Sequence, residues 1–275
     1  MLREFKKTIF VNNGIKVIKD FGRQWSIYRD NEGFYSSDEL FSDIISPFLK
    51  SEDVKNCKKV AEIGSGTGRI VNMLLRAEAK HVVAIEPSDS FEVLCHNLQQ
   101  PEKVTCLKIT GDQLPAYGDL DYAFSIGVLH HIPNPKPVIE AAFRALRPGG
   151  CFLIWLYGKE GNSWYPALIM PLRMHTKHIP HFMPVFLVEL MYWPLVLYVK
   201  FCHLIPLPLR GYLLSVFEKM SPEKRRLIIY DQLNPSYAKY YTRREAEKLL
   251  KDGKFGNVRI HHRHKYSWTV IGTKP

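Results

Sequence analysis

The chain has 275 residues, 46% of them hydrophobic, and a formal net charge of +11 at pH 7. That length supports one elaborated domain with a large core, and the ordinary apolar share excludes a largely disordered chain. Five scattered cysteines with no C-x-x-C pair exclude a disulfide framework and a cysteine zinc site, and suit a reducing compartment.

The charge is uneven. Residues 1–150 hold 19 Lys+Arg and 19 Asp+Glu, whereas residues 151–275 hold 19 and 8. A basic half suits nucleic acid, anionic lipid or a phosphorylated substrate, or is simply a solvated surface.

Residues 1–35 start charged, without the apolar core of a signal peptide. A strand or loop pair is predicted around Asn12-Asn13-Gly14. Phe21, Arg23, Gln24 and Trp25 then cluster, either as a cap packed on the core or as a flap over a ligand. Ser36 with Glu39 fits a capping box, and Phe41, Ile44, Ile45 and Phe48 recur at helical spacing.

Residues 59–63 read as a buried strand. Gly64-Ser65-Gly66-Thr67-Gly68 turns the backbone, and 69–76 reads as a helix. Glycines there let main-chain N–H groups approach a ligand at a helix N-terminus. Residues 81–86 form a continuous apolar strand ending at Glu86, 22 residues after Gly64. A carboxylate at that place in a βαβ unit accepts hydrogen bonds from ribose hydroxyls. Asp89 with Glu92 opens the next helix, and strand three (104–109) leads to Asp112 and Gln113. Strand four (121–127) precedes Val128, Leu129, His130 and His131. A helix over 135–146 and strand five (151–157) complete a doubly wound parallel sheet.

Residues 158–241 break the alternation. Their charge-free runs, 178–188, 190–199 and 201–209, are each too short to span a bilayer. Pro184, Pro194, Pro206 and Pro208 predict short, bent helices in a lid. Arg173, Lys177, Lys200 and Arg210 flank the apolar part, as in an interfacial segment. Thr242 with Glu245 caps a last helix, and two strands with a short connection require an antiparallel pair. His261, His262 and His264 alternate faces of a strand and are not expected to bind metal.

Glu62, Glu86 and Asp112 converge on one sheet edge. The turn is G-x-G-x-G rather than the dinucleotide G-x-G-x-x-G. A phosphate-free ligand with hydroxyls and an amine, such as S-adenosylmethionine, suits carboxylates better. A nicotinamide-dependent oxidoreductase and a non-catalytic, membrane-peripheral binding module are the readings of other classes.

Residues 60–70, 82–88, 111–115, 121–135 and 146–156 together resemble the successive motifs of class I S-adenosylmethionine-dependent methyltransferases. The resemblance implies an α/β Rossmann-like, doubly wound seven-stranded sheet with a C-terminal antiparallel strand pair. A helical lid would lie between strands five and six. With the break in alternation at 158–241, the chain is expected to divide into an N-terminal flap (1–35), a cofactor-binding core (36–157), a lid and acceptor insertion (158–241) and core completion (242–275).

The resemblance also implies that Glu62, Gly64, Ser65, Gly66 and Gly68 border the methionine portion. Glu86, with Pro87, would take the ribose, and Asp112, with Gln113, the adenine. Ser125 and Ile126 would lie under the methionine amine. Arg23 and Trp25 would touch the cofactor from the flap. His130 or His131 would act as base or shape the pocket. The apolar and basic character of residues 158–241 leads us to expect an O or N acceptor on a small molecule, lipid, quinone precursor or lipid-linked glycan, with RNA as the alternative. The expected location is the cytoplasm, with peripheral contact on the inner membrane face.

Overall fold

The computed structural model describes residues 2–160 and 182–275, with side chains over 14–160 and 186–275. One sheet contains β1 (Val60–Ile63), β2 (Val82–Ile85), β3 (Val104–Leu107), β4 (Leu120–Ile126), β5 (Leu146–Tyr157), β6 (Gly256–Arg263) and β7 (Ser267–Thr273). The order is β3-β2-β1-β4-β5-β7-β6. β1 to β5 pair in parallel, and β7 enters antiparallel between β5 and β6.

The near-continuous apolar runs of β1, β2 and β4 follow from burial on both faces. Val60, Val82 and Phe124 face one core, with Ile70, Val71 and Leu74 of the helix after the glycine turn. Their chain neighbours Ala61, Val83 and Ala123 face the other, with Val138, Ile139 and Ala142. The period-two alternation of a strand thus feeds two layers of helix.

Among the described residues the helices are α1 (Leu2–Ile27), α2 (Asp38–Ile45), α3 (Ser51–Lys55), α4 (Arg69–Arg76), α5 (Phe91–Asn97), α6 (Lys136–Ala145), α7 (Phe182–Leu204), α8 (Pro222–Leu233) and α9 (Arg243–Asp252). A short helical stretch, Arg210–Tyr212, runs into a π-helical turn, Leu213–Phe217, between α7 and α8. The Thr242–Glu245 capping box forms as expected, with reciprocal bonds of 3.3 and 2.9 Å.

Three local expectations are corrected. The strand or loop pair near Asn12 is instead part of α1, a 26-residue helix. Tertiary packing overrides the turn signals there: Val17 and Gln24 are buried, and a Cβ on Gly22 would lie 3.3 Å from Ser88 and Asp89. The cap of α2 is Ser37, not Ser36, and its hydroxyl accepts from Leu40 N–H at 3.1 Å. The helix after β2 is preceded by Ser90 and has no side-chain cap, so the Asp89–Glu92 box does not form.

The lid is also less broken than its prolines suggest. α7 is a single 23-residue helix with Pro194 inside it. Pro184 falls in the first turn, where an N–H has no intrahelical acceptor, and Pro206 and Pro208 come after the helix ends. Pro194 forfeits one hydrogen bond, and the helix is held by packing instead. Tyr192, Val199 and Cys202 bury against Val216, Phe217 and Tyr230. Arg173 and Lys177 lie outside the described residues.

Candidate active site

The sheet order reverses between β1 and β4, the position where open α/β sheets leave a crevice beyond their strand ends. A cavity of about 260 Å³ lies there. Its floor is the glycine turn, one wall is Glu86 to Ser88, and the far end is Thr110 to Asp112. Helix α1 crosses it with Gly14, Val17, Ile18, Phe21 and Trp25.

The turn needs its glycines. Gly64 has φ +82°, and a Cβ there would lie 2.5 Å from Val128. Gly66 has φ +53°, with the Trp25 indole nitrogen 3.2 Å from where its Cβ would be. Both conditions exclude a side chain and keep the floor open.

Two carboxylates meet this floor in different states. Glu86 is buried, and its oxygens accept from Gly66 N–H at 2.8 Å and Ser88 N–H at 2.9 Å. It therefore clamps β2 to the turn. Glu62 is 1% exposed, and its Oε2 has no hydrogen-bond partner. Burial pushes the Glu62 carboxyl up to about 8. A buried carboxyl with an unmatched oxygen on a cavity wall is built for a ligand that brings donors or positive charge.

His131 also lines the cavity. Its Nδ1 lies 3.0 Å from the Tyr237 carbonyl, and Phe21 packs edge-on at 4.8 Å. A carbonyl only accepts, so Nδ1 carries the proton and Nε2 is the basic atom of the neutral ring. His130 is fully buried beneath it, 4.0 Å from the Tyr157 ring, and lines neither cavity.

A second cavity of about 160 Å³ adjoins the first. Phe21, Trp25, Tyr35, Arg69, Ile126 and Gly127 line both. The lid roofs it with Val216, Met220, Leu227 and Ile228. Its polar side is a connected network. Tyr157 donates to Asp231 at 2.6 Å, and Gln24 of α1 donates to the other Asp231 oxygen at 3.0 Å. Gln232 donates to Tyr157 at 2.9 Å, and Tyr240 donates to Gln232 at 3.0 Å. Burial, then the charge of Asp231, holds the Tyr157 phenol well above its ordinary range.

Of the residues singled out in the sequence, Trp25, Glu62, Gly64, Ser65, Gly66, Glu86, Pro87, Asp112, Ile126 and His131 line the first cavity. Five do not. Arg23 is exposed, and Gly68 is the left-handed cap of α4. Gln113 turns back to accept from Thr110 N–H at 3.3 Å, Ser125 is buried against Ile63, and His130 lies behind His131. Sequence reasoning missed Asp231, Tyr157, Tyr35 and Arg263 of the second cavity. The histidines of β6 and its turn separate: His262 stacks on Trp268 at 4.0 Å, and the His264 Nε2 lies 3.0 Å from Asp43.

Comparison with known proteins decides what kind of domain this is. Residues 61–154 match the family described as methyltransferase domain. Residues 61–154 are a methyltransferase domain of the class I S-adenosylmethionine-dependent kind. Relatives of this methyltransferase domain include a tRNA U34 carboxymethyltransferase of Pseudoalteromonas atlantica. It is 31% identical over 108 residues, 38% of this chain and 33% of that protein. A ubiquinone biosynthesis O-methyltransferase of Idiomarina loihiensis is 26% identical over 117 residues, 41% and 47% of the two chains. The chain thus spans between a third and a half of these relatives. In fold it resembles 1,6-didemethyltoxoflavin-N1-methyltransferase of Burkholderia thailandensis, with TM-score 0.52 and 13% identity over 99% of this chain and 89% of that one.

Proposed function

We propose that the protein binds S-adenosylmethionine in the first cavity and directs its methyl group to an oxygen or nitrogen acceptor in the second. The unmatched Oε2 of buried Glu62 carries this reading. It sits beside a glycine floor with no room for side chains. In this reading Glu62 holds the amine end of the cofactor, Glu86 the ribose and Asp112 the adenine. The cofactor, when bound, supplies an activated methyl group on a sulfonium.

The chain's own work is then alignment, exclusion of water and removal of one proton. Trp25 and Phe21, shared by both cavities, orient the two ligands. His131 lines the first cavity and packs on Phe21, which both cavities share, so in this reading its Nε2 accepts the acceptor's proton where the two cavities join, while the Tyr237 carbonyl fixes its tautomer. His130 supports the His131 ring from behind. Asp231, held by Tyr157 and Gln24, accepts a hydrogen bond from the acceptor's polar end, and Val216, Met220 and Leu227 take its apolar part. This half-apolar lining supports a small molecule or the head of a lipid-like acceptor, including a quinone precursor or a lipid-linked glycan.

A second reading, transfer to RNA, is favoured by the basic C-terminal half and by the tRNA-modifying relatives. One experiment separates them. Small-molecule, lipid and RNA fractions of a cell extract are incubated with the protein and isotope-labelled S-adenosylmethionine, and labelled products are found by mass spectrometry. Label in the small-molecule or lipid fraction is expected, and label confined to RNA overturns the first reading.

A further inference from the structure

We propose that the outward face of α7 docks on an anionic bilayer surface. Phe186, Leu190, Trp193, Leu197, Phe201 and Leu204 recur at intervals of three and four residues, which places them on one helix face. All six are exposed, Phe186 and Trp193 at 67% and Leu204 at 78%. Ile205 and Pro206 carry the apolar surface beyond the helix end. An exposed apolar stripe of this length marks an interaction surface rather than ordinary scatter.

Its opposite face is not available. Val188, Tyr192, Val199 and Cys202 are buried in the lid core. Residues 186–204 are long and apolar enough to cross a membrane by length and composition. Packed as it is on one side, the helix lies along an interface and does not span it.

Charge selects the occupant. Lys200 is exposed and flanks the stripe on the helix wheel, and Arg210 follows its C-terminal loop. The β6–β7 turn carrying exposed Lys265 lies beside that loop: a Cβ on Gly211 would be 3.8 Å from the His264 carbonyl. Glu189, the one acidic residue of α7, is paired with Arg226. The rim is therefore basic, and the entire net charge of +11 lies in this half of the chain. Phospholipid headgroups of negative charge complement it. Lysine at the edge of an apolar face can keep its ammonium among headgroups while its stem lies on the stripe.

The test is flotation of the full chain with vesicles of phosphatidylcholine, alone or mixed with phosphatidylglycerol. Binding to the mixed vesicles is expected, weaker by about tenfold on neutral vesicles or at high salt. The triple variant L190S/W193S/L197S should keep its melting temperature and lose about tenfold or more of the binding. Trp193→Phe keeps the apolar face, so it should still float, but should lose the quenching of tryptophan fluorescence by brominated lipid that the wild type shows. Failure of the wild type to float overturns the proposal. So does a triple variant that floats undiminished, or a dimer that depends on the stripe and ignores vesicles.

Discussion

At Glu62 the sign of a pH effect follows from burial. The free protein holds this carboxyl protonated up to about pH 8. A cationic ligand amine favours the ionised form, so binding expels a proton. Affinity for S-adenosylmethionine should therefore rise as pH climbs towards about 8, and Glu62→Gln should flatten the profile, as read by calorimetry in buffers of different ionisation enthalpy. The same group opposes folding in the other direction. The folded state keeps a proton that the unfolded chain releases above the ordinary carboxylate range. Stability of the free wild type should thus fall between that range and about pH 8, with less slope in Glu62→Gln. Next to the cavity, His131→Gln should lower kcat by about 10²–10⁴-fold while leaving S-adenosylmethionine affinity nearly unchanged. Turnover at the wild-type level in that variant would remove His131 from proton transfer.

At the scale of elements, the Gln24–Asp231–Tyr157 bonds tie α1 to α8 and β5 across the second cavity. Asn234 adds a bond to Gln24 at 3.0 Å. This latch holds the helix that covers the first cavity to the lid that covers the second. Tyr157→Phe leaves Asp231 short of one donor and should cost about 1–3 kcal/mol. Amide hydrogen exchange over residues 14–27 should speed up in that variant, and unchanged protection there would show that the latch does not hold α1. The latch was not legible in the sequence, because Gln24, Tyr157 and Asp231 come from three distant segments and none sits in a motif. α1 and α7 were misread for a related reason. Asn12-Asn13-Gly14 and Pro194 are local signals against helix, and both were overruled by packing partners far along the chain. The glycine turn, Glu62, Glu86 and Asp112 were legible because each occupies a strand end whose place the hydrophobic pattern sets. Gln113 and Ser125 share those strand ends but turn away, and side-chain direction within a turn leaves no trace in spacing.

Across the whole molecule, two cores on the faces of one sheet support a cavity at the sheet's reversal point. Phe124 is fully buried in β4, between Glu62's strand and the lid side of the sheet. Phe124→Ala should cost about 3–5 kcal/mol in chemical denaturation. A loss below 1 kcal/mol would mean that the core relaxes around it. The reading of the molecule as a cofactor-dependent transferase rests on one claim, that the glycine floor and Glu62 seat a phosphate-free, amine-bearing ligand. Calorimetric titration with S-adenosylmethionine and, in parallel, with NAD tests it most directly. Micromolar binding of S-adenosylmethionine, none of NAD, and a loss of about tenfold or more in both Glu62→Gln and Glu86→Ala is the expected result. Tighter binding of NAD, or S-adenosylmethionine binding that survives both substitutions, would contradict it.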